Sequence, residues 1–212
     1  MIKATLLTFM CGVGLAVAST ALAQGADPIR VLVLGDSLSA GYQLAPGEGF
    51  ADQLEAALLA RGHAVEVVDA AVSGDTASAG LARLDWALDD TIDAAIVEFG
   101  GNDMLRGIQP GVTEGALGAI LTKLDERGIP ALVAGMRAAP NLGPEYRSSF
   151  DAIYESIAVS HGAILYPFFL EGVATNAALS LDDGMHPNAA GVAVIVAGIL
   201  PKVEELLARV QQ

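Results

Sequence analysis

The chain carries the stretch Gly35-Asp36-Ser37-Leu38-Ser39-Ala40-Gly41-Tyr42 directly after the apolar run Ile29-Arg30-Val31-Leu32-Val33-Leu34. A β-branched run that ends at Gly-Asp-Ser is typical of a buried strand that delivers a serine to the carboxyl edge of an open α/β sheet, where such proteins place their sites. Ser37 is therefore the candidate nucleophile. Asp, Ser and Gly also dominate turns and helix caps, so the alternative is that Asp36-Ser37 forms only a turn.

The rest of the chain alternates apolar runs of strand length with segments of helical periodicity. Strands are predicted at 29–34, 64–70, 94–99, 131–136 and 163–166, and helices at 49–61, 113–127 and 146–160, through Leu81, Leu84, Trp86 and Leu88, and from Pro187 onward. Strands that alternate with helices imply right-handed crossovers and helices on both faces of a mostly parallel sheet. We therefore predict an α/β protein with three layers, α/β/α, around a five-stranded sheet.

Every loop that follows a strand of such a sheet emerges at the same edge. The loops that begin at Gly35, Ala71, Gly100, Arg137 and Pro167 should therefore converge. Four of these five loops carry the chemically unusual segments of the chain, which are Gly-Asp-Ser, Ser-Gly-Asp, Gly-Gly-Asn-Asp and Asp-Asp-Gly-Met-His. The sequence thus predicts a functional site at this edge.

The first residues predict export. Lys3 supplies a positive charge, residues 4–18 are apolar with many small side chains, and Ala21-Leu22-Ala23 has the small-x-small pattern of a cleavage site. We predict a signal peptide at residues 1–23 and a periplasmic or secreted location for the domain at 24–212. The alternative, a retained membrane anchor, needs roughly 20 apolar residues, and this run is shorter.

Composition narrows the possible partners. Cleavage would remove Cys11, the only cysteine, and the loss of Lys3 would change the formal net charge from −14 to −15. This net negative charge argues against nucleic acid and anionic lipid as partners. The preferred explanation of the charge is that it keeps the protein soluble. The apolar run 189–200 is too short to span a bilayer and ends at Pro201, so it predicts a buried helix. We expect a monomer.

Catalysis by serine needs a base within hydrogen-bond reach and a carboxylate that orients the base. Of the three histidines, His63 and His161 each precede a predicted strand, at the opposite edge of the sheet, which indicates surface turn residues. His186 instead follows Asp183 by three residues in the last loop, so one ring nitrogen can bind that carboxylate while the other faces Ser37. The alternative is that Asp183 only introduces the final helix beside an uninvolved histidine.

Three groups can donate hydrogen bonds to a developing oxyanion: the backbone N–H of Ser37, the backbone N–H of Gly74 and the side-chain amide of Asn102. Glycine lets a substrate approach the backbone closely, and asparagine is a neutral donor. Gly74 and Asn102 could equally serve only to reverse the chain.

These motifs resemble a known family. Gly35-Asp36-Ser37-Leu38, Gly74, Gly100-Gly101-Asn102-Asp103 and Asp183-Gly184-Met185-His186 resemble, in order and spacing, the four sequence blocks of the SGNH (GDSL) hydrolases. The resemblance spans essentially the whole chain after the predicted signal peptide. Within the family it is closest to the bacterial periplasmic thioesterase, protease and lysophospholipase type.

The resemblance implies a triad of Ser37, Asp183 and His186, and an oxyanion hole of Ser37, Gly74 and Asn102. It also implies the flavodoxin-like fold of the SGNH hydrolases. It implies neither a metal nor an organic cofactor, and no pair of His or Cys residues in the sequence has the spacing of metal ligands.

Apolar side chains in the loops after the third and fourth strands could line a groove for an acyl chain. They are Met104, Leu105, Ile108, Met136, Pro140 and Leu142. The alternative is that they only pack these loops against the protein. Arg106 or Arg137 could meet a polar head group, although the favoured role of each is a structural ion pair.

The similar enzymes act on aryl esters, acyl thioesters and lysophospholipids. We therefore expect a serine hydrolase of small acyl esters and thioesters that works through an acyl-enzyme. Two alternatives are a carbohydrate O-deacetylase on the same fold, which the scarcity of aromatic residues near the loops disfavours, and a non-catalytic periplasmic binding protein.

Overall fold

The computed structural model describes residues 27–210. Its five strands form one parallel sheet in the order β2-β1-β3-β4-β5. They are β1 (Ile29–Gly35), β2 (Val65–Asp69), β3 (Ala94–Glu98), β4 (Ala131–Ala134) and β5 (Ile164–Tyr166). Continuous apolar runs suit β1, β3 and β4 because interior parallel strands are covered on both faces. The predicted signal peptide at 1–23 lies outside the described residues.

Seven α-helices are described. They are α1 (Phe50–Ala60), α2 (Ala77–Ala87), α3 (Gly101–Leu105), α4 (Pro110–Glu126), α5 (Pro144–Asp151), α6 (Ile153–His161) and α7 (Ala189–Val210). The helices α1 and α7 pack together, and α4 packs against α2 and α6. The chain reverses its direction across the sheet after β2, which puts α1 and α2 on opposite faces when both crossovers are right-handed. The predicted three-layer α/β/α fold is confirmed.

Two helix predictions were wrong in detail. The single helix predicted at 146–160 is two helices, α5 and α6, interrupted at Ala152. Ala152 keeps helical dihedral angles (φ −75°, ψ −18°), so the chain direction changes little there. The short helix α3 lies where the sequence predicted only a loop.

The helix α7 runs through Pro201 and continues to Val210. A proline inside a helix loses one backbone hydrogen bond, at a cost of about 3 kcal/mol. The apolar face of α7 continues beyond it, where Val203, Leu206 and Leu207 are buried, and this packing offsets the loss. Among the helices in residues 27–210, none is long and apolar enough to cross a membrane.

Candidate active site

Ser37, His186 and Asp183 lie in one hydrogen-bonded row at the carboxyl edge of the sheet. The Oγ atom of Ser37 is 2.9 Å from Nε2 of His186, and Nδ1 of the same ring is 2.6 Å from Oδ2 of Asp183. The ring of Tyr42 packs on the His186 ring at a centroid distance of 4.5 Å. The structure thus brings together all three residues of the predicted triad.

The local sequence around Asp183 fixes its carboxylate. Oδ1 accepts hydrogen bonds from the backbone N–H groups of Met185 (2.9 Å) and His186 (3.0 Å), in a turn that places Gly184 at φ +67°. The bonds from the His186 and Met185 backbone, with that from the His186 ring, lower the pKa of Asp183 to about 2. The carboxylate is therefore ionised and correctly turned to accept from the imidazole.

The turn after β1 presents Ser37. Oδ1 of Asp36 accepts a hydrogen bond from the backbone N–H of Leu38 (3.0 Å), and the Asp36 carbonyl accepts from Ala40 (2.9 Å). The sequence offered a simple turn as the alternative role for Asp36-Ser37. In the structure it is Asp36 that forms the turn. The Ser37 side chain is left to face the histidine.

The structure connects Asn102 to the nucleophile turn. Asn102 lies in the first turn of α3, and its Nδ2 donates to Oδ2 of Asp36 at 3.0 Å. The amide nitrogen carries a second hydrogen, so it retains one donor for a substrate. The oxyanion role of Asn102 stays a prediction.

The structure also connects Gly74 to α3. Gly74 has φ +91°, which favours glycine, and its carbonyl accepts a hydrogen bond from Nη2 of Arg106 at 2.7 Å. The ion pair predicted for Arg106 is not found in residues 27–210, so that prediction was wrong. Arg137 does pair with Glu171 (3.6 Å), and it lies over the ring of Phe168.

A buried pair of carboxyl groups, Asp36 and Glu98, lies behind the nucleophile turn. Oε2 of Glu98, at the end of β3, accepts from Oγ of Ser39 (2.9 Å) and from the backbone N–H of Asp36 (3.3 Å). Oε1 of Glu98 is buried without a hydrogen-bond partner. Burial raises the pKa of Asp36 to about 6, and burial together with the Asp36 charge raises the pKa of Glu98 well above its usual value. We infer that Glu98 holds its proton to a higher pH in the folded protein than in the unfolded chain.

Replacing Glu98 with glutamine should therefore raise the melting temperature more at pH 8 than at pH 5. The folded protein holds a proton on Glu98 that the unfolded chain releases above a pH of about 4.3, so the folded state binds more protons and loses stability as pH rises. Glutamine does not titrate and removes this loss. Melting temperatures of E98Q and the parent protein from pH 5 to 8 test the inference, and parallel pH dependences in the two proteins would contradict it.

The other two histidines lie away from the triad. Nε2 of His63 is 3.2 Å from a carboxylate oxygen of Glu204. His161 is the last residue of α6, and its Nδ1 is 2.7 Å from Asp125. Both are bound to carboxylates of neighbouring helices, and neither follows the carboxyl end of a strand.

The predicted substrate-binding side chains differ in exposure. Leu105 is 63% exposed and free to contact a ligand, whereas Met136 is 4% exposed and packs in the core. The Sδ atom of Met104 accepts a hydrogen bond from the backbone N–H of Ala139 at 3.0 Å. This contact favours the alternative that Met104 packs the loops against the protein. Leu142 lines a cleft of about 540 Å³ at the start of α5.

Ile108 lies beside this cleft, because its carbonyl accepts a hydrogen bond from the hydroxyl of Tyr146, which also lines it. The opposite wall includes Gln109 and Pro110 at the start of α4. The lining contains neither Ser37 nor His186.

Within residues 27–210 no group of three or more His, Cys, Asp or Glu side chains could hold a metal ion. The chemistry that the described side chains can perform is nucleophilic attack by Ser37, with proton transfer through His186.

Glu98, Arg83 and the contacts of Asp36 were not predicted from the sequence. Glu98 had a signal, because a charged residue inside the apolar run 94–99 is unusual for a buried strand. Arg83, on α2, had none, since its bond to the carbonyl of Gly35 spans 48 positions of sequence.

The chain is similar in sequence to known proteins. A family model described as the GDSL-like Lipase/Acylhydrolase family matches residues 33–194. An arylesterase of Vibrio mimicus is 41% identical over 160 residues, which cover 75% of this chain and 80% of the relative. Esterase TesA of Pseudomonas aeruginosa is 36% identical over 187 residues, or 88% of this chain and 93% of the relative. Thioesterase 1/protease 1/lysophospholipase L1 of Escherichia coli is 39% identical over 159 residues, or 74% and 75%.

Solved structures show the same similarity. The crystal structure of TesA matches with a TM-score of 0.80 and 35% identity, covering 84% of this chain and 99% of the other. AlinE4, an SGNH-hydrolase family esterase, matches with a TM-score of 0.73 and 43% identity, covering 86% and 98%.

Proposed function

The chain belongs to the GDSL-like lipase/acylhydrolase family and is a serine hydrolase that acts on carboxylic esters, and we propose that Ser37, His186 and Asp183 are its catalytic triad. The observation that carries the proposal is the short row of contacts from Ser37 Oγ to His186 Nε2 (2.9 Å) and from His186 Nδ1 to Asp183 (2.6 Å). This is the arrangement that turns a weak hydroxyl nucleophile into a reactive one.

In the first half of the reaction, Oγ of Ser37 attacks the ester carbonyl carbon while its proton passes to Nε2 of His186. The carbonyl electron pair moves to oxygen, and the resulting oxyanion accepts from the N–H groups of Ser37 and Gly74 and from Nδ2 of Asn102. Collapse of this intermediate expels the alcohol or thiol, which takes the proton from His186. Each oxyanion donor typically contributes a factor of about 10²–10³ in rate.

In the second half, water attacks the acyl-enzyme. His186 accepts a proton from the water and then returns it to Oγ of Ser37, so that the carboxylic acid leaves and the free enzyme is restored. Asp183 keeps Nδ1 protonated throughout, which leaves Nε2 as the acceptor. The chain's own side chains thus account for every proton that is moved.

For substrates we propose aryl esters, acyl thioesters and lysophospholipids with short to medium acyl chains. The names of the relatives support this choice. So do the exposed apolar side chains of Leu105, Met185 and Tyr42, which lie in the same segments as the triad and Asn102. These side chains offer an acyl chain contact without enclosing it. The cleft at Leu142 is the candidate place for the far end of that chain.

The chain-length dependence of hydrolysis tests the proposed substrates. On p-nitrophenyl acetate, butyrate, octanoate and palmitate, kcat/KM should be highest for butyrate or octanoate. Leu105→Ala should lower kcat/KM for octanoate by about five- to thirtyfold, since a few lost methyl and methylene contacts are worth about 1–2 kcal/mol. It should leave kcat/KM for acetate unchanged. Val159→Ala, at an exposed apolar position on α6, is the matched control.

The same assay separates the competing functions. Palmitoyl-CoA and lysophosphatidylcholine test the thioesterase and lysophospholipase activities. A clear preference for acetylated sugars over all p-nitrophenyl esters would favour the carbohydrate O-deacetylase instead. If Leu105→Ala lowered kcat/KM equally for acetate and octanoate, the result would contradict an acyl-chain role for Leu105.

We also propose that the protein is exported and acts as a monomer on small molecules. The apolar segment with its small-x-small site before Gln24 supports export, and the net charge of −14 supports solubility and disfavours nucleic acid as a partner.

A further inference from the structure

We propose that Arg83 is a positioning residue that holds the Ser37 turn and the Gly74 loop in their reactive arrangement. The inference rests on the proposed function, because it matters only if Ser37 is the nucleophile and Gly74 an oxyanion donor.

The guanidinium of Arg83 joins the ends of two neighbouring strands. From α2, its Nη2 donates to the carbonyl of Gly35 (3.1 Å) and its Nη1 to the carbonyl of Ala70 (2.5 Å). Its Nε donates to Oδ2 of Asp75 at 2.6 Å. The side chains of Arg83 and Asp75 are only 22% and 17% exposed, so water competes weakly for these bonds and the charge-assisted contact is strong.

Two of the three bonds lie close in sequence to a proposed reacting group. Gly35 comes two residues before Ser37, and Asp75 directly follows Gly74. A guanidinium is planar and presents its donors in a fixed fork. Arg83 therefore sets the spacing between the nucleophile turn and the oxyanion loop. An ammonium on a flexible stem could not hold all three acceptors in that geometry.

Gly74 depends on such support. Its φ of +91° lies outside regular structure, and its N–H has to point at the place where the oxyanion forms. The carbonyl of Gly74 is bound by Arg106, whose side chain is exposed. Loss of Arg83 would free the carboxylate of Asp75 and leave the loop held by Arg106 and by two backbone hydrogen bonds, from Val72 N–H to the Gly35 carbonyl (3.0 Å) and from Asp75 N–H to the Val72 carbonyl (3.1 Å).

Arg127 provides a matched control. Its Nη1 donates to the carbonyl of Leu88 at 3.0 Å and so connects the ends of α4 and α2. This is also a bond from an arginine to a backbone carbonyl, but Leu88 comes before β3 and lies far along the chain from the loops of the site. Its loss should affect stability without affecting the reaction.

The test compares Arg83→Met and Arg127→Met with the parent protein on p-nitrophenyl butyrate, well below each melting temperature. Arg83→Met should lower kcat by about 10- to 100-fold, less than the full loss of an oxyanion donor, with KM within threefold. Arg127→Met should keep kcat within twofold. Asp75→Asn, which keeps Arg83 and a neutral acceptor, should show a smaller loss in kcat.

A trifluoromethyl ketone with a butyl chain gives a second readout. Ser37 Oγ adds to its carbonyl carbon, the carbonyl electron pair moves to oxygen and the serine proton goes to His186, so the adduct needs the oxyanion donors but no leaving group. Its affinity for Arg83→Met should fall by the same factor as kcat/KM. A merely structural role would lower the melting temperature and leave the affinity for the ketone unchanged.

The proposal is overturned if Arg83→Met keeps kcat within twofold of the parent, or if only KM changes. If that variant does not fold, Arg83→Lys decides, with a kcat loss of more than fivefold expected and a loss below twofold contradicting the role. If the parent itself neither hydrolyses esters nor binds the ketone, the proposed function fails instead of the role of Arg83.

Discussion

Replacing Ser37 with alanine should lower kcat for p-nitrophenyl butyrate by about 10⁴- to 10⁶-fold. The Oγ atom lies 2.9 Å from His186 Nε2, and without it no acyl-enzyme can form. Alanine keeps the backbone N–H of residue 37, so the proposed oxyanion site loses no donor. Residual hydrolysis by S37A therefore measures what the oxyanion site achieves without a nucleophile. Steady-state kinetics at equal concentrations of folded protein give the factor.

A fluorophosphonate should label the parent protein at Ser37, because Oγ displaces fluoride from phosphorus as its proton passes to His186. Ser39 provides the control from the same turn, since it is buried and its Oγ donates to Glu98 at 2.9 Å. Ser39→Ala should keep the label, which peptide mass spectrometry locates. Hydrolysis by S37A above about 1% of the parent rate, which is far more than triad loss allows, or a label on Ser39, would contradict Ser37 as the nucleophile.

The layered fold could be predicted from the sequence because its signals are local. Runs such as 94–97 are apolar throughout, and a parallel strand covered by helices on both faces requires that pattern. The predicted strands 29–34 and 64–70 agree with β1 and β2 to within one residue at each end. The longer helices could be predicted from hydrophobic periodicity, which is also a local signal.

The elements that were missed depend on distant contacts. The helix α3 has five residues, too few to predict from propensity, and it begins with Gly101. It is held by buried Asp103, which accepts from the backbone N–H of Ala77 (3.0 Å) and from the hydroxyl of Thr113 (3.0 Å). The continuation of α7 through Pro201 likewise depends on packing that the local sequence does not reveal.

The residues of the candidate site fall into the same two groups: those that a local motif predicts, and those whose role depends on distant contacts. Ser37, Gly74, Asn102 and the Asp183/His186 pair could be named in advance because each lies in a short motif after a strand. The residues that support them could not. Arg83 binds the carbonyl of Gly35, which is 48 positions away in the sequence. Which groups a long side chain binds depends on where the fold places its guanidinium.

Replacing Asp183 with asparagine should lower kcat by about 10³- to 10⁴-fold. Oδ1 would still accept the backbone N–H groups of Met185 and His186, which leaves the new amide nitrogen facing Nδ1 of His186. Two donors cannot share that contact, so the ring takes the tautomer with its proton on Nε2. That nitrogen then points a donor at Ser37 and cannot accept the serine proton.

Asp182→Asn is the control, because it removes the same charge from the adjacent exposed residue and should leave kcat within about twofold, as expected for a surface charge.

Stability gives a second test with a definite sign. The pKa of Asp183 is lowered to about 2, so its carboxylate stabilises the fold fully above the unfolded value of about 3.9 and loses this effect as pH falls toward 2. D183N should therefore melt at a lower temperature than the parent at pH 7, and the difference should shrink as the pH falls below 4. Full activity in D183N would show that His186 needs no carboxylate to fix its tautomer, and a difference in melting temperature that grew toward pH 2 would contradict an ionised Asp183.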